Sequence, residues 1–471
     1  MVNYDTASET ATLALPVKHL VKRAPLSVDA AVNVAQAAQL MQAERVGSIL
    51  VASDPPGIVT DRDLRGRVLA AGLGPDTAVT QVMSRPLITI DSDAPAFAAL
   101  RLMIEENLHH LAVTEEAKII GVVSASDLLL LQRQNPLYLR NVIEQWDESA
   151  YGVNYAEEIG KLVHTLDRTG LTAIHISQLV SSLNDALVKR FVAFAVKRLG
   201  PAPTPFAWIV FGSEGRLEQT LLTDQDNGLV FQDDSAAARE YFAAMASQVV
   251  DNLISAGFPP CAGGFMATHW CKPLAAWQEL FTDWICLPKP QALLDAAIFF
   301  DFRAVAGTLE LNGLEEIVTA AKSEQRFLSH MARGALDFYP PLGFFNRLRS
   351  SNGKIDLKKG ALAPIVGLAR LAALAAGSRE RSTLQRLAAA KLSGRFLSPQ
   401  DATALAEIFP MLFQLRLSAQ LRARALKASI DHNVRLSDLT ELERRHLKEA
   451  LIIIKQIQNG IRTIWQLDRL A

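Results

Sequence analysis

Residues 208–231 read WIVFGSEGRLEQTLLTDQDNGLVF. Two apolar runs flank a Gly-Ser pair and, eleven residues after the serine, an Asp-x-Asp pair. The pattern predicts a strand, a tight turn, a short helix and a second strand that opens with the two carboxylates. On that strand Asp224 and Asp226 would point to the same face, so both could bind the same divalent metal ions. Gly212 and Ser213 supply a turn where backbone N–H groups can approach phosphate.

A Gly-Ser pair followed at this distance by Asp-x-Asp resembles the signature of the DNA polymerase beta-like nucleotidyltransferases. The strings GSEGRLEQ and TDQDNGLVF are similar to the DUF294-type branch, which is related to PII-protein uridylyltransferase. The resemblance implies transfer of a nucleoside monophosphate from a nucleoside triphosphate (NTP) to a hydroxyl acceptor, such as a tyrosine on a regulatory protein. It also implies that Asp224 and Asp226 are catalytic and hold Mg²⁺, while Gly212 and Ser213 anchor the β and γ phosphates.

Some residues of this region have two interpretations. The Asp pair could belong to a solvated turn, although a turn does not require the upstream Gly-Ser pair. Arg216 could contact triphosphate oxygens through its guanidinium, or form an ordinary exposed pair with Glu218. Lys358, in the string IDLKKG, resembles the lysine of a loop that follows the catalytic domain in this branch. It could reach nucleotide phosphates or remain a solvated charge.

A third carboxylate is the open point of the catalytic site. Many polymerase beta-like folds place one on a later strand, and residues 263–267 are compatible with such a returning strand. No acidic residue occurs between positions 263 and 269, which leaves Asp301 as the later candidate. Because the residues before it look helical, we expect Asp301 to pair with Arg303 or another neighbour rather than with a metal. Two carboxylates and a triphosphate can hold magnesium without it.

The N-terminal third contains an internal repeat. LMQAERV at residues 40–46 aligns with LMIEENL at residues 102–108, and GIVTDRDL at residues 57–64 aligns with GVVSASDL at residues 121–128. Each repeat predicts a helix, a strand, a turn, a strand and a helix. A unit of this size buries little surface by itself, so we expect the two repeats to pack together.

The repeat resembles a pair of CBS motifs over residues 18–133. The resemblance implies binding of the ribose and phosphate of an adenine nucleotide as a regulatory ligand, here by Thr60, Arg62, Asp63, Ser124 and Asp127. A carboxylate can accept hydrogen bonds from both ribose hydroxyls, and a hydroxyl can donate to phosphate. The second repeat has a serine where the first has Arg62. Alternatively, Asp63 and Asp127 simply cap the helices that follow them.

We predict an α/β multidomain protein composed of a CBS pair, a polymerase beta-like nucleotidyltransferase domain and an all-α C-terminal domain. The ranges are residues 18–133 for the CBS pair, 137–199 for a helical connector, 200–309 for the nucleotidyltransferase domain and 310–471 for the C-terminal domain. The connector could couple sensor to catalytic domain, act as a passive spacer or form a dimer surface. The C-terminal part resembles the helical domain of the same branch. Arg416 and Gln420 match its Arg-x-x-x-Gln, which a polar contact within or between helices would also explain.

Composition and net charge limit which cell compartment and which classes of partner are expected. The net charge of −1 provides no global attraction to nucleic acid or to an anionic membrane. The three cysteines lack metal-site spacing, and residues 1–15 have no basic segment before an apolar run. We therefore expect a cytoplasmic protein without a membrane span and without a zinc cluster at Cys261, His269, Cys271 and Cys286. Because CBS pairs often dimerise, the resemblance also implies a homodimer.

Two functions from different classes follow. The first is a magnesium-dependent nucleotidyltransferase controlled by adenine nucleotide at the CBS pair. The second is a non-catalytic nucleotide sensor whose transferase domain binds but does not turn over, which the missing third carboxylate favours. Transfer to a small molecule or to an RNA end is a further alternative, and the near-zero net charge disfavours RNA.

Overall fold

The computed structural model describes residues 15–128, 136–146, 155–221 and 224–464. The chain divides into two compact units. One comprises residues 1–141 and 168–171, and the other comprises residues 142–167 and 172–471. The prediction about a signal peptide concerns residues 1–15, all but one of which lie outside the described residues, as do Leu222 and Thr223 within the Gly-Ser/Asp-x-Asp stretch.

The N-terminal unit contains the same small motif twice, as the repeat predicts. In each copy a helix precedes an antiparallel hairpin, and a short strand pairs in parallel with the first hairpin strand. The first copy consists of β1 (Ser27–Asp29), α1 (Val34–Glu44), β2 (Ser48–Ala52), β3 (Gly57–Thr60) and α2 (Asp61–Asp63). The second consists of β4 (Thr89–Asp91), α3 (Ala96–Glu105), β5 (His110–Glu115), β6 (Lys118–Ser124) and α4 (Ala125–Leu128), and α5 (Pro136–Gln145) follows.

Local sequence explains how the first copy forms. Asn33 begins α1 with a capping box, in which its side chain accepts from the Gln36 N–H and the Gln36 side chain accepts from the Asn33 N–H. Val34 and Met41 on α1 are buried against Ile49 of β2. Helical spacing on α1 and alternation in the hairpin therefore direct apolar side chains into one core.

A four-stranded sheet lies in the second unit. Its order is β10-β7-β8-β9, with β7 antiparallel to both β10 and β8 and with β9 parallel to β8. The strands are β7 (Phe206–Val210), β8 (Asn227–Phe231), β9 (Cys271–Pro273) and β10 (Arg303–Gly307). Every residue of β7 and β8 is buried, as the two apolar runs predict.

Two details of this sheet differ from the sequence prediction. Asp224 and Asp226 precede β8 instead of opening it, because the Gln225 N–H donates to the Pro259 carbonyl and takes the chain away from the ladder. Residues 263–267 form a turn rather than the returning strand. Gly264 has a φ of 74° and its N–H donates to the Cys261 carbonyl, so the returning strand begins only at Cys271.

Helices pack around the sheet. In sequence, they lie before its first strand and between its strands. They are α6 (Tyr155–Arg168), α7 (Ala173–Leu199), α8 (Gly212–Gly215), α9 (Ala236–Ser255), α10 (Leu274–Cys286) and α11 (Pro290–Phe299). Helix α7 contacts α9 and β10. It ends before Gly200 and the prolines that follow, as predicted. The segment predicted as a connector thus contributes α7 to the same unit as the sheet, and the predicted domain boundaries stay a prediction.

The remainder of the second unit is largely helical, as predicted. It contains α12 (Asn312–Ala320), α13 (Gln325–Ala335), α14 (Ala363–Ala376), α15 (Thr383–Ser393), α16 (Pro399–Ala425) and α17 (Glu441–Ile464), with a two-stranded sheet of β11 (Lys354–Asp356) and β12 (Asn433–Arg435). Helix α14 contacts α13 and α15, and α15 contacts α16.

One apolar segment in this helical part is long enough to cross a membrane. Lys358–Ala376 has a mean hydropathy of 1.4, and within the described residues no other segment meets the same criterion. The sequence predicts no membrane span, whereas this segment meets the criterion by length and composition alone, which a buried core helix also can. The protein buries 67% of the segment, as it would a core helix.

Candidate functional site

Two predicted metal ligands come together beside a cysteine. The carboxylates of Asp224 and Asp226 and the thiol of Cys261 place one ligand atom each within 4.8 Å of one another. The Asp226 carbonyl accepts from the Phe211 N–H at 2.9 Å, which ties Asp226 to the end of β7. Cys261, which the sequence predicts not to belong to a zinc cluster, lies in the loop after α9.

The Gly-Ser turn lies next to this group. Gly212 has a φ of 52°, and a Cβ atom built on it would lie 3.1 Å from Asp226 Oδ2. Glycine suits both the positive φ and the close approach. The Ser213 carbonyl accepts from the Glu218 N–H at 2.8 Å, which closes the short helical turn. The structure therefore brings Gly212, Ser213 and Asp226 to one place, as the signature predicts.

The charges at this group suit a divalent cation. Burial and the neighbouring Asp224 raise the pKa of Asp226 to about 6. Burial and Asp226 raise the pKa of the Cys261 thiol to about 11, so the thiol is neutral at pH 7. A bound cation reduces the electrostatic repulsion between two neighbouring carboxylates, and carboxylate oxygens are the ligands that magnesium prefers. A protonated thiol is a poor magnesium ligand, so Asp224 and Asp226 are the residues that fit the metal.

The C-terminal helical part adds two groups near the carboxylates. Lys358 is exposed and lowers the pKa of Asp226 through its charge. His432, which precedes β12, is close enough to sense the charge of Asp224. Burial, followed by the positive charges of Arg416 and Lys358, lowers the pKa of His432 to about 4, so this histidine is neutral at pH 7. His432 carries no motif that would have identified it from the sequence.

Asp301 and Arg216 belong to a separate buried cluster. Arg216 donates to Glu218 Oε2 at 2.8 Å and to Asp301 Oδ2 at 2.5 Å. Arg370 donates to both oxygens of Asp301, at 3.1 and 2.7 Å, and Arg386 Nη1 lies 2.6 Å from Oδ1. Asp301 is 0% exposed. Burial would raise its pKa, but Arg370, Arg386 and Arg216 hold the pKa of Asp301 well below its usual range.

This cluster changes the interpretation of two residues. The expectation that Asp301 pairs with Arg303 is wrong, because Arg303 donates to the carboxylate of Asp185 at 2.6 and 2.9 Å. Asp301 instead meets arginines of α14 and α15, and no metal ligand role is open to it. Arg216 pairs with Glu218 as one interpretation has it, but in a buried rather than an exposed position. Its contact with phosphate stays a prediction.

The two glycines of GSEG have different tasks. A Cβ atom built on Gly215 would lie 1.9 Å from the Asp301 carbonyl oxygen, so Gly215 permits a close backbone contact with the arginine cluster. Between the glycines, Glu214 is buried, and burial together with Asp185 raises its pKa to about 8. The Glu214 carboxyl is therefore mostly protonated at pH 7 in the metal-free protein.

Arg416 and Gln420 lie one turn apart on α16 and are 5% and 1% exposed. Arg416 Nε and both amide atoms of Gln420 have no hydrogen-bond partner among the described residues. The polar contact that would explain this pair is thus not observed at those atoms. The Arg416 guanidinium lies over the Phe413 ring, 5.9 Å from its centroid.

In the CBS pair, each predicted aspartate lies inside its short helix and bonds back to the hydroxyl residue that precedes the helix. Asp63 Oδ2 accepts from the Thr60 N–H at 2.9 Å and from its hydroxyl at 2.7 Å. Asp127 Oδ2 accepts from the N–H and hydroxyl of Ser124, at 2.8 and 2.5 Å. The interpretation that Asp63 caps the helix after it is therefore wrong, because Thr60 is the N-cap of α2 and Asp63 completes a capping box as its third residue. Arg62 is exposed beside it. Capping does not exclude a ligand, since a helix N-terminus favours phosphate, and the nucleotide-binding roles stay predictions.

The surroundings of the two aspartates bring further positive charge. Arg67 Nη1 lies 3.4 Å from Asp63 Oδ1, and Lys22 Nζ lies 2.5 Å from Asp127 Oδ1. His110, the first residue of β5, senses the charges of both aspartates, although burial and His109 lower its pKa. The aspartates of the two repeats therefore face a common region.

Comparison with protein families matches three parts of the chain. Residues 157–291 match "Putative nucleotidyltransferase DUF294", residues 325–464 match "Putative nucleotidyltransferase substrate binding domain", and residues 17–70 and 79–133 each match "CBS domain". The chain is a CBS domain protein with a DUF294-type nucleotidyltransferase domain. This composition confirms the family resemblance and the mixed α/β fold class predicted from the sequence.

Individual proteins resemble parts of this CBS domain protein. The CBS domain-containing protein CBSCBSPB2 of Arabidopsis thaliana is 34% identical over 139 residues, which are 27% of this chain and 26% of that protein. The CBS domain-containing protein YhcV of Bacillus subtilis is 30% identical over 105 residues, which are 22% of this chain and 75% of that protein. The match thus spans about a quarter of the Arabidopsis relative.

Solved structures resemble a similar share of the chain. An uncharacterized conserved protein from Pyrococcus horikoshii is 33% identical, with 26% of this chain and 94% of that chain covered and a TM-score of 0.24. A CBS domain protein from Pyrobaculum aerophilum, solved in complex with AMP, is 26% identical, with 27% and 99% covered and a TM-score of 0.24.

Proposed function

We propose that the protein is a magnesium-dependent nucleotidyltransferase that transfers a nucleoside monophosphate from an NTP to a hydroxyl acceptor. The observation that carries the proposal is the convergence of Asp224 and Asp226 beside the Gly212 turn. This convergence occurs in a region that matches a nucleotidyltransferase family. The charge and the oxygen ligands of the two carboxylates fit magnesium, whereas the neighbouring protonated thiol does not.

The reaction balances without a further reactant. The acceptor oxygen attacks the α-phosphorus, the bond between that phosphorus and the oxygen bridging to the β-phosphate breaks, and pyrophosphate leaves with the electron pair. The acceptor proton passes to solvent. Magnesium held by Asp224 and Asp226 would neutralise charge on the triphosphate. The N–H groups of Gly212 and Ser213 would bind phosphate oxygens, and Lys358 would add a positive charge close to Asp226.

The acceptor and the regulator are further parts of the proposal. By resemblance to PII-protein uridylyltransferase, the acceptor is a tyrosine hydroxyl on a regulatory protein. An adenine nucleotide would bind at Thr60, Arg62, Asp63, Ser124 and Asp127 and bias the enzyme if it binds two conformations with different affinity. A cytoplasmic homodimer suits both the cysteine pattern and the CBS pair.

Transfer of label tests the proposal directly. Each NTP labelled at the α-phosphate is incubated with magnesium and cell lysate, with the wild type and with the double variant Asp224→Asn/Asp226→Asn. Asp251→Asn, at an exposed position on α9, serves as the control for loss of a carboxylate outside the site. Transfer by the wild type and the control but not by the double variant supports the proposal, and the labelled species identifies the acceptor. Equal labelling by all three proteins would contradict it.

A non-catalytic nucleotide sensor is the second candidate. One observation favours it: among the described residues, no third carboxylate joins Asp224 and Asp226, and Asp301 is bound by three arginines. A sensor would release no pyrophosphate and transfer no label, yet bind adenine nucleotide at the CBS pair. Calorimetric titration of AMP alongside the labelling assay separates the two functions.

A further inference from the structure

A cavity of about 260 Å³ lies in the second unit, apart from the Gly-Ser turn. Its apolar walls come from Tyr155, Ile159, Val180, Leu221 and Phe258. One water needs only about 30 Å³, and small-molecule pockets start near roughly 300 Å³. The volume therefore suits one ring system, whereas a whole nucleotide is too large for it.

The uncharged polar side chains of Asn184 and Thr220 line the cavity. Asn184 accepts from the Tyr155 hydroxyl at 2.8 Å and donates to Gln219 Oε1 at 2.6 Å, so its side chain is fixed in place. Thr220 also lines the cavity and is 5% exposed, and its hydroxyl has no hydrogen-bond partner among the described residues. Buried hydroxyls are normally hydrogen-bonded, so Thr220 is suited to bind the polar edge of a ligand.

The charged residues that line the cavity are engaged with other groups. Arg424 donates from Nη2 to the Glu157 carbonyl at 3.1 Å. The Glu157 carboxylate lies 3.2 Å from Lys161 Nζ. Burial raises the pKa of Tyr155 well above its ordinary value, which keeps the phenol neutral. Because the walls are mainly apolar and the polar group without a partner is the neutral Thr220 hydroxyl, the cavity suits an uncharged ring.

Two chain segments connect the cavity wall with the carboxylates. Phe258 precedes Cys261 by three residues, and Thr220 precedes Asp224 by four. An extended chain advances at most about 3.6 Å per residue, so the Cα atoms are separated by less than roughly 11 and 14 Å, respectively. A molecule whose ring fills the cavity can therefore extend a substituent towards Asp224 and Asp226.

We propose that this cavity binds the planar, uncharged ring of a reactant in the nucleotidyl transfer. The ring has a hydrogen-bonding edge that meets the Thr220 hydroxyl, and an apolar face that packs against Phe258 and Ile159. Two sources have this chemistry, namely the base of the NTP and the aromatic ring of the acceptor. The assignment rests on the proposed function of the two carboxylates, and it adds the part of the substrate that the cavity holds.

Binding of small ring compounds to the full chain tests the assignment without turnover. The probes are adenosine, guanosine, cytidine, uridine and N-acetyltyrosinamide, titrated by calorimetry. Thr220→Val removes the hydroxyl at nearly constant volume, and Val180→Phe fills the cavity. Thr383→Val is the matched control, since Thr383 is also buried with an unpartnered hydroxyl among the described residues and does not line the cavity.

We expect one probe to bind the wild type and Thr383→Val equally. Thr220→Val should weaken that binding about three- to tenfold, as expected for one neutral hydrogen bond, and Val180→Phe should abolish it. Binding of a nucleoside assigns the cavity to the NTP base, and binding of N-acetyltyrosinamide assigns it to the acceptor. No binding by any probe, or equal affinity for the wild type and Thr220→Val, would overturn the assignment.

Pyrophosphate release separates a failure of this assignment from a failure of the proposed function. Release that depends on Asp224 and Asp226, combined with no probe binding, would reject the cavity alone. If no pyrophosphate is released but a probe binds and Thr220→Val weakens its binding, the transferase reaction is rejected. The ring-binding site would then stand, but its ligand would not be a reactant of nucleotidyl transfer. Val180→Phe adds volume and could fail to fold. Thr220→Val is a separate variant of nearly the same volume, so its result still tests the assignment in that case.

Discussion

Asp226 and Asp301 are aspartates of the same unit with opposite electrostatic surroundings. Asp226 faces another carboxylate, and burial with Asp224 raises its pKa to about 6. Asp301 faces three guanidinium groups, which hold its pKa well below the usual range. Asp226 therefore gains from a cation that binds from outside, whereas Asp301 already has its cations within the fold. The comparison shows that the partners of an aspartate, not its residue type, separate a candidate metal ligand from a structural acid.

The largest effect on stability is expected for Asp301→Asn. The substitution leaves Arg216, Arg370 and Arg386 buried together without their shared negative charge. Breaking a buried ion pair from one side costs about 3–5 kcal/mol, and we expect the free energy of unfolding to fall by this amount. Urea unfolding measures it, with Asp226→Asn as the comparison that should not destabilise the metal-free protein. A loss below about 1 kcal/mol would place Asp301 with ordinary surface pairs.

The largest effect on activity is expected at the other aspartate. Asp226→Asn removes a carboxylate of the proposed magnesium site but leaves a side chain of the same size. We expect pyrophosphate release to fall about 10²–10³-fold, comparable to losing one electrostatic stabiliser of a transition state, with the unfolding free energy retained. Initial rates under saturating NTP and magnesium provide the measurement. If Asp226→Asn retained wild-type turnover, the two aspartates would not differ in the way described.

Acidity should distinguish the two aspartates in the metal-free protein. Asp226 has a folded-state pKa of about 6, above its ordinary 3.8, so the folded state binds more protons than the unfolded state between these values. Its contribution to stability must decrease as pH rises through this window, by up to about 1.4 kcal/mol per pKa unit. The depressed pKa of Asp301 has the opposite sign, and its stabilisation is lost only as pH falls below the ordinary aspartate range.

Magnesium should therefore raise the melting temperature more at about pH 7.5 than at about pH 5, where protons compete for Asp226. Thermal unfolding of the wild type and of Asp226→Asn, with and without magnesium chloride, checks this expectation. Equal magnesium shifts at the two pH values, or a full shift in Asp226→Asn, would contradict a site built on this carboxylate.

Arg216 belongs to the buried ion pairs of Asp301, and its substitution should lower stability less than substitution of Asp301. Arg216→Met removes one of three arginines from Asp301, which keeps Arg370 and Arg386. We expect the unfolding free energy to fall by about 1–3 kcal/mol and KM for NTP to change by less than a factor of about three. Urea unfolding and NTP saturation curves give both values. A rise in KM of tenfold or more at unchanged stability would instead support phosphate binding by Arg216.

Lys358→Ala should have the smallest effect of these substitutions, and it should change activity but not stability. It is exposed, so Lys358→Ala should change the unfolding free energy by less than about 0.5 kcal/mol. Its charge acts on Asp226, and we expect KM for NTP to rise about three- to tenfold at low salt, equivalent to about 1 kcal/mol. Lys359→Ala, the exposed neighbour, is the matched control. Identical KM values for the two variants would remove Lys358 from the site.

The sequence predicts those features that depend on local pattern. The apolar runs identify β7 and β8, the repeat identifies the two CBS copies, and the spacing of Gly212 from Asp226 places the turn beside the carboxylate. The pattern fails where contacts join distant segments. Arg370 and Arg386 meet Asp301 from helices 69 and 85 residues downstream, and nothing in FFDFR indicates them.

Cys261 and His432 show the same limit in the catalytic region. Each reaches the carboxylates from a loop, where neither helical nor strand periodicity predicts a direction. A possible signal for Cys261 was its place between Pro260 and the flexible Gly263-Gly264 pair, which allows the loop to turn back. The domain ranges remain predictions for a related reason, since α7 packs on the sheet although it precedes the first catalytic strand.

The close contact at Gly215 has a consequence for transplanting the signature into another protein. Gly212 meets the Asp226 carboxylate, whereas Gly215 touches the backbone of Asp301. The four residues GSEG thus join two sites, and a grafted copy would need the loop around position 301 as well as the Asp-x-Asp pair. The smallest portable fragment of this candidate active site is consequently discontinuous and extends from β7 to β10.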